Sequence, residues 1–167
     1  MNPRLARGYF TMLGSVNQIL DREFVFIKND EDVVTGIITI YDIALQFKHL
    51  SEPFIELQLI EDSIRKFIDQ KIDNKPLTLF FNKKYPGKKI ETTRDLTFGE
   101  YIAILENKDL WSPDNINLDR KTFIEKLDVI RKIRNDLMHF KITQLSDDSM
   151  KELKDVSKFF RMLEKVT

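Results

Sequence analysis

Three residues near the end of a long apolar-patterned stretch have side chains suited to phosphodiester chemistry: Arg134, Asn135 and His139, in Val129-Ile-Arg-Lys-Ile-Arg-Asn-Asp-Leu-Met-His-Phe140. Histidine titrates near neutral pH and can take or give a proton. Arginine can grip phosphate oxygens through two parallel hydrogen bonds and stabilise developing charge. Asparagine can orient either one. RNA brings its own nucleophile, the 2′-OH, so such a set needs neither metal nor thiol. The sequence fits that restriction, with no cysteine and only two histidines, His49 and His139. Disulfide frameworks, thiol nucleophiles, iron–sulfur clusters and multi-histidine metal sites are therefore excluded. On a helix, Asn135 and His139 are four apart and share a face. Arg134 lies about 140° from His139 at ~100° per residue, so one helix alone would not focus both on a point, whereas a cleft between two such helices could. The alternative is structural: a histidine near a helix C-terminus also stabilises the helix dipole.

A second constellation is Gly36-Ile-Ile-Thr-Ile-Tyr-Asp42. Thr39 stands where a hydroxyl meets the free N–H groups of a first helical turn, and Asp42 where the dipole favours a carboxylate. Capping accounts for both residues. A third is basic: Lys83, Lys84, Lys88, Lys89 and Arg94 cluster around Pro86-Gly87, with Glu91 among them. Such a patch can guide a polyanion such as RNA, or can be a solvated loop. Tyr85 is the better base-stacking candidate; Trp111, before Ser112-Pro113, reads as a loop anchor. Asp136 is placed to pair with Lys132, and His49 to sit at a helix end or on the surface.

The elements that must position these residues follow from periodicity. Phe24–Ile27 and Val33–Thr39 are β-prone runs around a polar turn, which predicts a hairpin. Residues 41–50 show helical spacing through Ile43, Ala44 and Phe47. Beyond residue 50 the helical period dominates. One apolar stripe runs through Phe54, Leu57, Ile60/Glu61, Ile64 and Phe67/Ile68. A shorter helix, capped by Asp95 or Thr97, carries Phe98, Tyr101, Ile102 and Leu105. Asp119 opens a long helix with Phe123, Leu127, Ile130 and Leu137 inward. Ser146 is the cap candidate for a last helix, with Met150, Leu153, Val156, Phe160 and Leu163 inward. Residues 74–94 are less regular, and Leu77–Phe81 reads as a strand or a loop. The fold expected is mainly α: an antiparallel four- to five-helix bundle over residues 51–167, with a small α+β piece over residues 1–50.

Composition sets the outer limits. The chain has 167 residues, 42% hydrophobic and 32% charged, with Lys+Arg and Asp+Glu both at 27. That balance belongs to a globular chain. No stretch approaches the ~18 uninterrupted apolar residues of a spanning helix. No apolar run follows Met1-Asn2-Pro3-Arg4, so a cytoplasmic protein without membrane association is expected.

Two family resemblances rest on these motifs. Residues 51–167, with Arg134, Asn135 and His139 late in the third long helix, resemble HEPN domains. The resemblance implies a metal-independent endoribonuclease active as a homodimer, its two motifs facing each other, leaving a 2′,3′-cyclic phosphate and a 5′-hydroxyl. It makes His139 the general acid/base, Arg134 the phosphate binder and Asn135 the orienting residue. No cofactor is required by it, and a stress or defence role follows by analogy. Phe24 to Asp42 resembles the second half of a CBS domain. That resemblance implies an adenine nucleotide as ligand, held at Gly36, Thr39 and Asp42. The other reading left open is a non-catalytic RNA- or nucleotide-binding or sensing dimer.

Overall fold

The computed structural model describes residues 12–88, 90–110, 119–139 and 145–166. Among them the chain is mainly helical, with one small antiparallel sheet. It divides into two compact units, Met1–Glu52 and Pro53–Thr167.

The first unit opens with helix α1 (Met12–Arg22), which ends at Glu23 in the left-handed region, φ 69°. The Glu23 N–H donates to the Ile19 carbonyl, the usual closure of a helix by a left-handed residue. Strands β1 (Phe24–Lys28) and β2 (Val34–Thr39) form the expected hairpin, pairing Phe24 with Thr39 and Ile27 with Gly36. Its turn follows from Asn29, whose side-chain oxygen accepts from the N–H groups of Glu31 and Val33 at 3.1 and 3.0 Å. Asp32 adopts φ 69° there, a conformation aspartate tolerates better than most residues. Only Ile19 and Val25 are fully buried apolar side chains among the unit's described residues.

Helix α2 runs from Ile40 to Lys71 and carries Pro53 inside it. It does not stop near residue 50, as the change of pattern there suggests. Proline removes one hydrogen-bond donor from the helix, and the division between the units falls at that residue. His49 is accordingly an exposed mid-helix residue rather than a helix end.

The second unit is built on α2 from Pro53 onward, α3 (Asn74–Lys84), a 3-10 turn (Thr93–Asp95), α4 (Phe98–Glu106), α5 (Arg120–Met138) and α6 (Asp147–Val166). These helices share one core. Leu57, Ile60, Ile64, Phe67 and Ile68 from α2 meet Tyr101, Ile104 and Leu105 from α4, Leu127 and Ile130 from α5, and Leu153 and Phe160 from α6. At its centre Phe123 lies 5.6 Å from Phe67 and 5.7 Å from Phe160, ring centre to ring centre, spacings at which edge-to-face attraction adds to burial. Of the expected inward stripes, Met150 and Leu163 are partly buried against this core. Phe54 instead is 42% exposed.

Capping fixes where the helices begin. Thr97, not Asp95, caps α4: its N–H and hydroxyl both donate to Glu100, at 2.7 and 2.9 Å. Asp95 closes the preceding 3-10 turn by accepting from Thr92 and Glu91. Asp119 caps α5 by accepting from the Thr122 N–H at 2.7 Å. Ser146 accepts from the Ser149 N–H at 3.3 Å at the start of α6. The segment expected as strand or loop, Leu77–Phe81, is helical. Its Leu77 and Phe81, four apart, are both buried on the core, and that burial outweighs the weak β preference of Leu-Thr-Leu-Phe-Phe.

Candidate functional site

The Asp119 cap and the stripe of Phe123, Leu127, Ile130, Ile133 and Leu137 fix the rotation of α5 on the core. That rotation determines where the three motif residues go. Arg134 falls beside the buried stripe and reaches α2, where its Nε donates to Glu61 at 2.8 Å. Its side chain is 31% exposed and that of Glu61 19%. The terminal amino groups of Arg134 have no carboxylate or carbonyl partner among the described residues. Asn135 and His139 are exposed on the other side of the helix end. His139 is the C-cap of α5; its N–H donates to the Asn135 carbonyl at 3.0 Å. Its ring stands where a cation would be favoured by the helix dipole. No hydrogen bond among the described residues joins the Arg134 guanidinium, the Asn135 amide and the His139 ring. One chain therefore sets Arg134 and His139 apart, as the angle between them along a helix requires.

Glu61 does more than hold Arg134. Its second oxygen accepts from Arg65 at 3.1 Å, and Arg65 also donates to Asp62 at 2.6 Å. Arg65 Nε donates to the Tyr101 hydroxyl at 2.7 Å, and that hydroxyl donates to the Thr93 carbonyl at 3.0 Å. Thr93 in turn donates its own hydroxyl to Asp69 at 3.2 Å. The result is a continuous polar chain from α5 through α2 to α4 and the 3-10 turn. Burial opposes the Arg65 charge, but the Tyr101 oxygen and the Glu61 and Asp62 carboxylates outweigh it and hold the guanidinium above its usual range. Burial pushes the Tyr101 phenol up, against the pull of Arg65. Sequence reading places Glu61 in the apolar stripe but gives it no role. Its signal is that position itself: a carboxylate on a core-facing arc needs a cation.

The basic cluster is partly neutralised within the fold. Lys88 donates to both oxygens of Glu100, at 2.6 and 2.7 Å, a partner twelve residues away in sequence that the local pattern around Glu91 does not reveal. Lys84 lies 5.3 Å from the Phe80 ring and 5.8 Å from the Tyr85 ring, within cation–π range. Lys83 is exposed. Lys89 and Trp111 lie outside the described residues. Tyr85 packs on Phe81, 5.9 Å between ring centres, and burial raises its phenol.

In the first unit, Thr39 and Asp42 satisfy one another. The Thr39 N–H and hydroxyl donate to Asp42 Oδ2 at 2.8 and 2.7 Å, and the Asp42 N–H donates back to the hydroxyl at 3.3 Å. The Thr39 donors hold the Asp42 carboxyl below the usual range. This is a reciprocal cap on α2. Gly36 sits mid-strand opposite Ile27, where an added Cβ would be at ordinary contact distance, 3.5 Å from the Ile27 side chain.

No group of three or more metal-ligating side chains occurs among the described residues, and no described helix is long and apolar enough to cross a membrane. No family model, no curated protein and no solved structure matches the chain.

Proposed function

We propose that this chain is a metal-independent endoribonuclease of HEPN-like type, active as a homodimer in the cytoplasm. Its composite site draws Arg134, Asn135 and His139 from two copies. The observation that supports this most is the contrast at the end of α5. Arg134 is oriented through Nε by Glu61, leaving its terminal amino groups for phosphate, while the His139 ring is exposed one turn beyond Asn135. An arginine pre-set by a carboxylate loses less freedom on gripping a phosphate than a free one does.

In the reaction the RNA 2′-oxygen forms a bond to phosphorus as the bond from phosphorus to the 5′-oxygen breaks. His139 of one copy takes the 2′-OH proton, and a protonated His139 of the other supplies one to the departing 5′-oxygen. The products are a 2′,3′-cyclic phosphate and a 5′-hydroxyl, and Arg134 stabilises the charge on the phosphoryl oxygens between them. Lys83 and Lys84, with Lys88 and Lys89, would guide the RNA backbone. The first unit is CBS-like in this reading, and an adenine nucleotide at Gly36, Thr39 and Asp42 would bias how the copies dock, a coupling that must be reciprocal. A stress or defence role follows by analogy.

A second reading has its own support. Arg134 paired with Glu61, and Thr39 paired with Asp42, are complete as structural contacts. That favours a non-catalytic RNA- or nucleotide-binding dimer. Incubating wild type and His139→Ala with labelled total RNA in EDTA separates the two. Cleavage by wild type only, with cyclic phosphate ends, supports the nuclease. If neither cuts, with or without adenine nucleotides, the nuclease reading falls.

A further inference from the structure

The part of α2 that lies in the first unit carries an apolar stripe with no cover. Ile40, Ile43, Phe47 and Leu50 recur at alternating spacings of three and four, the 3.5-residue period of a helix built to lie along another helix. Ile40 is 45% exposed, Phe47 69% and Leu50 49%. At ~100° per residue these four, with Ala44 and Ser51, occupy one arc of about 120° that contains no charged side chain. Asp42, Gln46 and His49 fall on the opposite side, and Asp42 is already held by Thr39. Within the unit, packing ties α1 to β1 and β1 to β2, which leaves this stripe open. Two buried apolar side chains, Ile19 and Val25, are too few for such a unit to dispense with a cover.

We infer that this stripe is a self-association surface, docking on the same stripe of a second copy of the chain. The spacing selects a helix as occupant rather than a flat surface or a small ligand. The residues flanking the seam, Ala44, Gln46 and Ser51, are uncharged. Two identical stripes therefore meet without the like-charge repulsion that such flanking positions use to reject a twin. The chain as a whole adds no repulsion, with 27 basic and 27 acidic residues. Two heptads expose well under the ~800 Å² per partner of a stable dimer, so the association is concentration-dependent rather than permanent. The surface stands apart from the nuclease reading, and its test reads mass rather than cleavage.

Sedimentation velocity on the full chain, from about 1 to about 200 µM, brackets the affinity of an interface this small. Wild type shifts from 19.8 kDa toward twice that mass as concentration rises. Phe47→Glu stays at the single mass throughout, and His49→Glu, on the opposite side of α2, behaves as wild type. Phe47 is solvent-exposed, so far-UV circular dichroism of the variant matches wild type; if it does not, Leu50→Gln carries the same comparison. A wild type that is monomeric across the range overturns the inference and assigns the stripe to another occupant. So does a Phe47→Glu chain that still associates, or an equal loss in His49→Glu. Self-association lost in Phe47→Glu with no RNA cleavage by any form leaves this surface standing and removes the nuclease alone.

Discussion

Replacing Tyr101 by phenylalanine tests whether the polar chain beneath the core contributes to stability. The ring is fully buried, and its hydroxyl joins Arg65 Nε at 2.7 Å to the Thr93 carbonyl at 3.0 Å. Phenylalanine keeps the ring and removes only the oxygen, so no cavity of consequence opens. Two hydrogen bonds go, one of them charge-assisted. Arg65 keeps Glu61 and Asp62 and is 25% exposed, so water can reach it, and that part of the loss is small. The Thr93 carbonyl has no such recourse, because Thr93 is 7% exposed, and an orphaned buried acceptor costs about 1–3 kcal/mol. Together the change should destabilise the second unit by about 2 kcal/mol, read as a lower urea midpoint at unchanged slope.

The same residue gives the prediction a pH arm. Burial raises the folded-state Tyr101 phenol above its unfolded value, which is about 10. Above that pH the unfolded chain has released a proton that the folded chain still holds, so rising pH favours unfolding. The contribution is complete below about pH 10 and is lost as pH climbs through the folded value. Tyr85 shifts the same way, so the informative quantity is the difference between wild type and variant. Tyr101→Phe removes its own share of the alkaline loss. A urea midpoint within about 0.5 kcal/mol of wild type at neutral pH, with an unchanged alkaline slope, would refute the chain as a stabilising feature.

Three further outcomes follow from the same geometry. Phe160→Ala, at a buried aromatic in contact with Phe123, should cost about 3–5 kcal/mol in urea unfolding, and a loss below 1 would mean the site is less tightly packed than its ring spacing indicates. Asp42 contributes stability above the ordinary carboxylate range that is lost as pH falls through its depressed folded value; Thr39→Val should move the Asp42 titration, followed by NMR, upward, and an unmoved titration would show that the hydroxyl is not the cause. Glu61→Gln removes the charge that orients Arg134 and should lower RNA cleavage at least about tenfold, ~1.4 kcal/mol of barrier, whereas unchanged cleavage would exclude Glu61 as a positioning residue.

What could be read in the sequence was what depends on near neighbours. The hairpin follows from two β-branched runs around Asn29, and the helix starts at Thr97, Asp119 and Ser146 follow from cap chemistry. The burial of Phe123, Leu127, Ile130 and Leu137 follows from a 3.6-residue period. The misses all depend on distant partners. Leu77–Phe81 is helical because two of its residues find the core, a fact absent from its local β preference. Lys88 loses its freedom to Glu100, and Arg134 is tied to Glu61, seventy-three residues earlier. The continuity of α2 across Pro53 was hidden for another reason: proline lowers helix propensity locally, yet a long helix tolerates one missing donor when its neighbours are packed.

Whether Arg134 and His139 act together turns on a second chain, and mixing variants decides it. Within one copy the two side chains leave α5 in different directions, Arg134 toward Glu61 on α2 and His139 past the helix end. If a working site takes the arginine of one copy and the histidine of the other, Arg134→Ala and His139→Ala chains are each inactive alone. Mixed and allowed to exchange, half the dimers contain one of each, and each such dimer holds one complete site of two, so activity recovers to about a quarter of wild type. The assay is the EDTA-resistant cleavage of labelled RNA at fixed total protein. No recovery, with exchange verified by a tag on one variant, would show that the residues do not complement across copies. The exposed His139 and the carboxylate-held Arg134 would then be a helix cap and a core-edge ion pair, which is all that a single chain requires of them.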